Sequence, residues 1–227
     1  MVRDKKLFAI GFGITLFLLL SIYVINGFMN NQREQAVLDK MDAILEEYQE
    51  MQTISLMSGI FGEHMACFGL QSRLIQMDKT LWDAGTRIDK YRTITEEFMR
   101  DPFYIEQKRK FNRNEVMYYS LLKEMKQRCK VNQTTILFFY KKAESCPTCD
   151  SQSFVLTDIN NALSDEVSIF SFDTDLGLPS IDILLSYYNV TEYPCMVIEG
   201  QNYCGLFNKN QLLKVLCKKQ NLTACTS

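Results

Sequence analysis

Cys146-Pro147-Thr148-Cys149 sets two thiols close enough to close a small disulfide, and a Tyr193-Pro194 dipeptide follows further along the chain. Ahead of the cysteines runs Thr134–Tyr140, a β-branched and aromatic stretch of strand character. Behind them, in Asp150–Leu163, the residues Phe154, Val155, Ile159, Ala162 and Leu163 recur at helical spacing. The first cysteine therefore falls at the mouth of a helix that follows a buried strand. Unpaired amides and the positive end of the helix dipole stabilise a thiolate there. Pro147 suits the first helical turn, where its missing N–H leaves no bond unmade. A reactive thiolate with a second thiol in reach is what disulfide exchange requires.

The same spacing also serves zinc and iron–sulfur sites. A structural zinc site wants a second pair of ligands at similar spacing. The sequence has no other C-x-x-C and no H-x-x-x-H, and its one histidine, His64, lies far upstream. The motif reads as redox chemistry or a structural disulfide, with no metal, and His64 as a packed or surface residue of a helix. A redox reading calls for no cofactor besides the Cys146–Cys149 disulfide.

The net charge of −2 is spread along the chain, so the basic footprint of a nucleic-acid binder is missing. Leu7–Phe28 carries no charged residue; at ~1.5 Å per residue it reaches ~33 Å, enough to cross a bilayer core. A cleaved signal peptide would usually have a shorter apolar core and end in small residues, whereas Ile22-Tyr23-Val24-Ile25-Asn26 offers no such site. Residues 7–28 therefore read as an uncleaved anchor. Arg3, Lys5 and Lys6 precede it against Asp4 alone, which puts residues 1–6 in the cytoplasm and the rest outside. Eight cysteines and three N-x-S/T sequons, at Asn132, Asn189 and Asn221, agree with an oxidising exterior.

Residues 29–130 read as helix. Ala36, Leu38, Met41, Ile44, Leu45, Tyr48 and Met51 repeat at three and four. Ile54–Leu74 is more apolar and holds Gly59, Gly62 and Gly69; Leu81–Met99 carries Trp82, Ile88, Tyr91, Ile94 and Phe98. Asp101-Pro102 breaks the pattern, and Phe103–Cys129 sets Phe111, Val116, Tyr119, Leu122 and Met125 on one face. The region is expected to be a small bundle that packs on itself and spaces the next domain from the membrane. A stalk that binds a partner protein is the other reading.

From Thr134 the period changes. The order is strand Thr134–Tyr140, helix Cys146–Leu163, strand Glu166–Phe172, helix Ser180–Tyr188, strand Cys195–Ile198, strand Gln201–Leu206 and helix Lys209–Lys218, with 220–227 as a tail. The first two strands, joined by a helix, run parallel with a right-handed crossover. The last two, joined across Glu199-Gly200, run antiparallel. The class is α/β, a four-stranded mixed sheet with flanking helices.

That order, with C-x-x-C opening the first helix and a proline just before the third strand, resembles the thioredoxin fold over residues 131–219. The resemblance implies that Cys146 is the exposed nucleophile and Cys149 the buried resolving thiol. It also implies a cis bond at Pro194, with the backbone of Tyr193 free to pair with an extended substrate. Ser145 stands where the family often has tryptophan, and the first strand has no acidic residue to accept a proton; Lys141, Lys142 and Glu144 are left to tune the thiolate. The activity implied is membrane-anchored thiol–disulfide exchange with protein thiols and disulfides. A non-catalytic module that docks peptides or recruits a membrane complex is the reading from another class.

Taking the motif pair from the eight cysteines leaves six, which allow fifteen connectivities. Counting outward from Glu199-Gly200 brings Cys195 opposite Cys204, as a structural bridge or a second redox pair. Cys217 with Cys225 would clamp the C-terminus, and Cys67 with Cys129 would fold the helical region back on itself.

Overall fold

The computed structural model describes residues 2–92, 101–163 and 166–225. Helix α1 (Val2–Phe61) is continuous, so the apolar stretch and the amphipathic stretch after it form one rod. Met29-Asn30-Asn31-Gln32 contains no breaker, and Asn30 donates to Glu34 one turn on at 2.7 Å. The pattern expected over Ile54–Leu74 is divided at Gly62, whose φ of 86° suits glycine alone. Helix α2 (Glu63–Arg92) then runs back along α1. The ion pairs Lys40–Asp83 and Glu50–Arg73 and the close approach of Ile54 to Gly69 are each symmetric about Gly62, which defines an antiparallel hairpin. The helix expected over Leu81–Met99 is thus the second half of α2; Ile94 and Phe98 lie outside the described residues.

Asp101-Pro102 begins a helix. Asp101 accepts from the Phe103 N–H at 2.9 Å, and Pro102 takes the first-turn position. Helix α3 (Pro102–Cys129) lies antiparallel to α2. Phe111 sits where a Cβ on Gly85 would meet it at 3.0 Å, Tyr118 donates to the Leu74 carbonyl at 3.1 Å, and Cys67 pairs with Cys129.

The remaining elements are β1 (Thr134–Tyr140), α4 (Cys149–Leu163), β2 (Val167–Asp173), α5 (Pro179–Tyr188), β3 (Cys195–Ile198), β4 (Gln201–Cys204) and α6 (Lys209–Lys219). The sheet order is β2-β1-β3-β4, with β1 and β2 parallel and the other neighbours antiparallel. A long apolar N-terminal helix, a helical region and this mixed sheet are consistent with a thioredoxin-like fold. Several bounds differ from expectation. Helix α4 starts at Cys149 and not Cys146, because the Cys149 N–H closes a tighter turn onto the Cys146 carbonyl at 3.1 Å. Strand β2 is shifted by one residue, with Asp173 paired to Tyr140. Strand β4 stops at Cys204, where Gly205 turns at φ 94° and donates to the Pro194 carbonyl at 2.8 Å. Beyond α6 the chain stays packed: Leu222 is buried and the Thr223 N–H donates to Glu166 at 3.0 Å.

Alternation along β1 sends Ile136 and Phe138 to α4 and α6, and Leu137 and Phe139 to the opposite face. That second face shares one core with α5 and with the helical region, running through Phe170, Tyr118, Leu122, Met77 and Met51. The helices therefore do not form a self-contained spacer. The apolar face of α3 is too wide for the hairpin to cover, and Tyr118 and Tyr119 pack on Phe170 at 5.5 and 5.6 Å between ring centroids.

Helix α3 also closes the edge of the sheet. Glu115 accepts from the Ser171 N–H and Asn112 from the Asp173 N–H, both at 2.8 Å, while Ser168 donates to Asp78 of α2 at 2.9 Å. An edge strand left open would pair with other chains.

The Cys67–Cys129 bridge closes a sequence separation of 62 residues, for which loop entropy puts the loss on removal at about 4 kcal/mol. Replacing both by serine is expected to lower the denaturation midpoint of the detergent-solubilised chain accordingly. An unchanged midpoint would show that α3 holds its place without the bridge.

Candidate active site

Strand β1 ends at Tyr140, and the chain then turns twice before α4. Ser145 and Cys146 both donate their N–H groups to the Lys142 carbonyl at 2.9 Å; Gln152 donates to the Thr148 carbonyl at 3.1 Å. The loop is tied to the 3-10 turn Thr174–Leu176: Lys142 N–H donates to Asp175 at 2.9 Å, and Thr174 donates to the Tyr140 carbonyl at 3.1 Å. Cys146 and Cys149 are joined, with their Cα atoms 5.4 Å apart.

The implied exposure of Cys146 is not what the structure has. Cys146 is 3% exposed and Cys149 2%, while Ser145, Pro147 and Thr148 around them face solvent. Cys149 lies on the core face of α4, and the bond to it draws the Cys146 side chain beneath the loop.

The Tyr193–Pro194 peptide is cis. Cys195 pairs with Phe139, so one step back along β3 sets Pro194 beside Tyr140, where the cysteine loop departs. The Lys141 ammonium stands 4.9 Å from the Tyr193 ring centroid, which joins the two loops through a cation–π contact. Lys142 and Glu144 are exposed.

Cys195 and Cys204 pair across the β3–β4 hairpin, Cα to Cα 3.9 Å, and Cys217 pairs with Cys225 at 5.7 Å. No cysteine is free among the described residues. His64 is exposed on α2, and no group of three or more His, Cys, Asp or Glu gathers at metal distance among the described residues. The three sequon asparagines are all exposed.

The buried acids come from the helical region and the edge strand, and motif reading passed over them. A cleft of about 370 Å³ runs along β2 between α4 on one side and α2 and α3 on the other. Trp82, Tyr104, Lys108, Glu115, Phe154 and Cys149 line it, so the sulfur-bearing start of α4 forms part of its wall. Burial holds the Glu115 carboxyl well above the usual range, against the pull of the Ser171 amide and Lys108. Lys108 bonds Asp173 and stands 5.3 Å from the Tyr140 ring centroid. Burial would lower its ammonium, but Tyr140 and Asp173 beside it hold it raised. The available signal was the position of Asn112 and Glu115 on the same face of α3 as Phe111 and Tyr119.

No family model matches the chain, and no curated protein does. Among solved structures it is similar to one described as "Structure of a malarial protein", at 17% identity and TM-score 0.34, covering 38% of this chain and 97% of that one. Another is described as "Structural insights into thioredoxin-2: a component of malaria parasite protein secretion machinery", at 18% identity and TM-score 0.34, covering 39% of this chain and 84% of that one. The fold is read from strand order and crossover; likenesses this low add nothing about activity.

Asp78 yields a pH dependence with a definite sign. Burial pushes its carboxyl up to about 6, with hydrogen bonds from Gln133, Ser168 and Tyr118 opposing. The unfolded value is near 4. Between the two, the unfolded chain has released a proton that the folded chain keeps. Stability from this group is therefore full below about pH 4 and falls by up to about 3 kcal/mol as pH rises through 6. Asp78→Asn is expected to flatten that part of a stability–pH profile measured by denaturant unfolding; a slope equal to that of the parent chain would refute it.

Proposed function

We propose that this chain is a membrane-anchored thiol–disulfide oxidoreductase whose folded part lies outside the cytoplasm. One long apolar helix near the N-terminus is a candidate membrane span, and the charge bias around it supports an inward N-terminus. The observation that carries the reading is the Cys146–Cys149 pair at the start of α4, at the C-terminal end of β1 and beside the Tyr193–Pro194 turn.

Starting from the disulfide, a substrate thiolate attacks Cys146 Sγ and displaces the Cys149 thiolate. A second substrate thiol then displaces Cys146, leaving the substrate oxidised and the chain reduced by two electrons and two protons. The reverse sequence reduces a substrate disulfide, with Cys146 attacking and Cys149 resolving. The backbone at Tyr193 would hold the extended substrate strand.

A second reading has one observation in its favour. The shallow exposure of Cys146 suits an inert disulfide in a module that binds partners through its helices.

Alkylation of the reduced chain separates the two. The redox reading expects Cys146 to react with iodoacetamide at pH 6–7 much faster than an ordinary thiol of pKa ~8.5. It also expects Cys149→Ala to accumulate mixed disulfides that disappear when Cys146→Ser is added. An unreactive Cys146, with partner capture surviving Cys146→Ser, would leave the binding module.

A further inference from the structure

We propose that the substrates of this site are cysteines held close to the bilayer surface on membrane-inserted chains; the inference rests on the thiol-exchange reading above. It follows from how the elements stack along α1. Helix α2 runs back along α1, and α3 runs back along α2, so α3 points the same way as α1, away from the span. Strand β2 runs opposite to α3, because Glu115 meets Ser171 while the earlier Asn112 meets the later Asp173. The C-terminal ends of β2 and of its parallel neighbour β1 therefore point back toward the apolar span. The cysteine loop leaves from that end.

The heights can be read from the same contacts. Phe111 packs on Gly85, and Asp83 pairs with Lys40, so Phe111 stands level with Leu38 on α1. That is roughly 15 Å beyond Phe28, the last residue of the apolar stretch, at the helical rise. Lys108, about one turn nearer the span, holds Asp173 and faces Tyr140. The strand ends that carry the site thus lie roughly 10–15 Å above the apolar boundary. At the other end, Lys126 bonds Glu199 and the Gln133 carbonyl, and Arg128 reaches Ser58 of α1, roughly 45 Å out. Asn132 and Asn221 sit at that far end, bridged through Gln220, so glycans there would leave the near end clear.

A gap of this height selects what can enter. A folded domain of about 100 residues has a radius of gyration near 13 Å and is about twice too thick to slide beneath the loop. An extended segment emerging from the bilayer fits, and an extended segment is what a strand-pairing site beside the disulfide takes.

The test uses the full chain carrying Cys149→Ala, reconstituted in phosphatidylcholine vesicles with single-span helical peptides. Each peptide bears one disulfide-bonded cysteine pair, either ~10 Å or ~40 Å above the apolar boundary of the bilayer on a helical extension of known rise. Cys146 thiolate attacks the probe disulfide, forms the mixed disulfide and releases the probe's other thiolate, which is read on non-reducing gels. Trapping of the near probe at least tenfold faster than the far one is expected. Inserting two helical turns after Phe28 should raise the site by ~10 Å and slow the near probe while sparing a soluble disulfide peptide. Equal rates for both heights, or trapping of the soluble peptide alone, would overturn the proposal and leave thiol exchange standing. Trapping of no probe at all would take both down.

Discussion

The seam between α3 and the edge of β2 is the contact on which the rest of the molecule depends. A parallel edge strand presents a row of N–H groups that must be satisfied. Here the side chains of Asn112 and Glu115 bond two of them. The aromatic faces of Tyr118 and Tyr119 bury Phe170 alongside. Polar matching sets the register, and the apolar burial around it supplies most of the free energy. Because α3 is also bridged to α2 by Cys67–Cys129, and α2 is paired along α1, the seam connects the sheet to the helix that carries the apolar stretch.

Closing a strand edge with a carboxylate has an electrostatic consequence. Glu115 lies in a place where its charge is expensive, and burial favours its protonated form. Lys108, a cation near it, is shared with Asp173 and the Tyr140 ring. The cleft on the far side of this seam reaches Cys149. Glu115, Lys108 and Cys149 thus line one cleft, although they come from parts of the chain with quite different patterning.

The site shows a contrast of layers. Pro147 and Thr148 are exposed, while the sulfurs beneath them are covered. The Lys141 ammonium over the Tyr193 ring links the cysteine loop to the proline turn. Access to Cys146 then depends on that loop, and not on the helix dipole alone.

Local pattern by itself determined a good deal. The apolar run of residues 7–28, the strand-like Thr134–Tyr140, the helix after Cys149 and the two-residue turn at Glu199-Gly200 each follow from period and turn chemistry within a few neighbours. The order of these elements makes the first two strands parallel and the last two antiparallel, whereas the placing of β3 beside β1 and not β2 came from the tertiary structure. Three further matters were decided only in three dimensions: that α1 runs unbroken until Gly62, that α3 docks on the sheet, and that Cys146 is covered. The physical reason is the same in each. Helical periodicity marks which face is apolar but not what will cover it, and a buried glutamate in a stripe of aromatics reads as surface until the strand that it caps is placed against it.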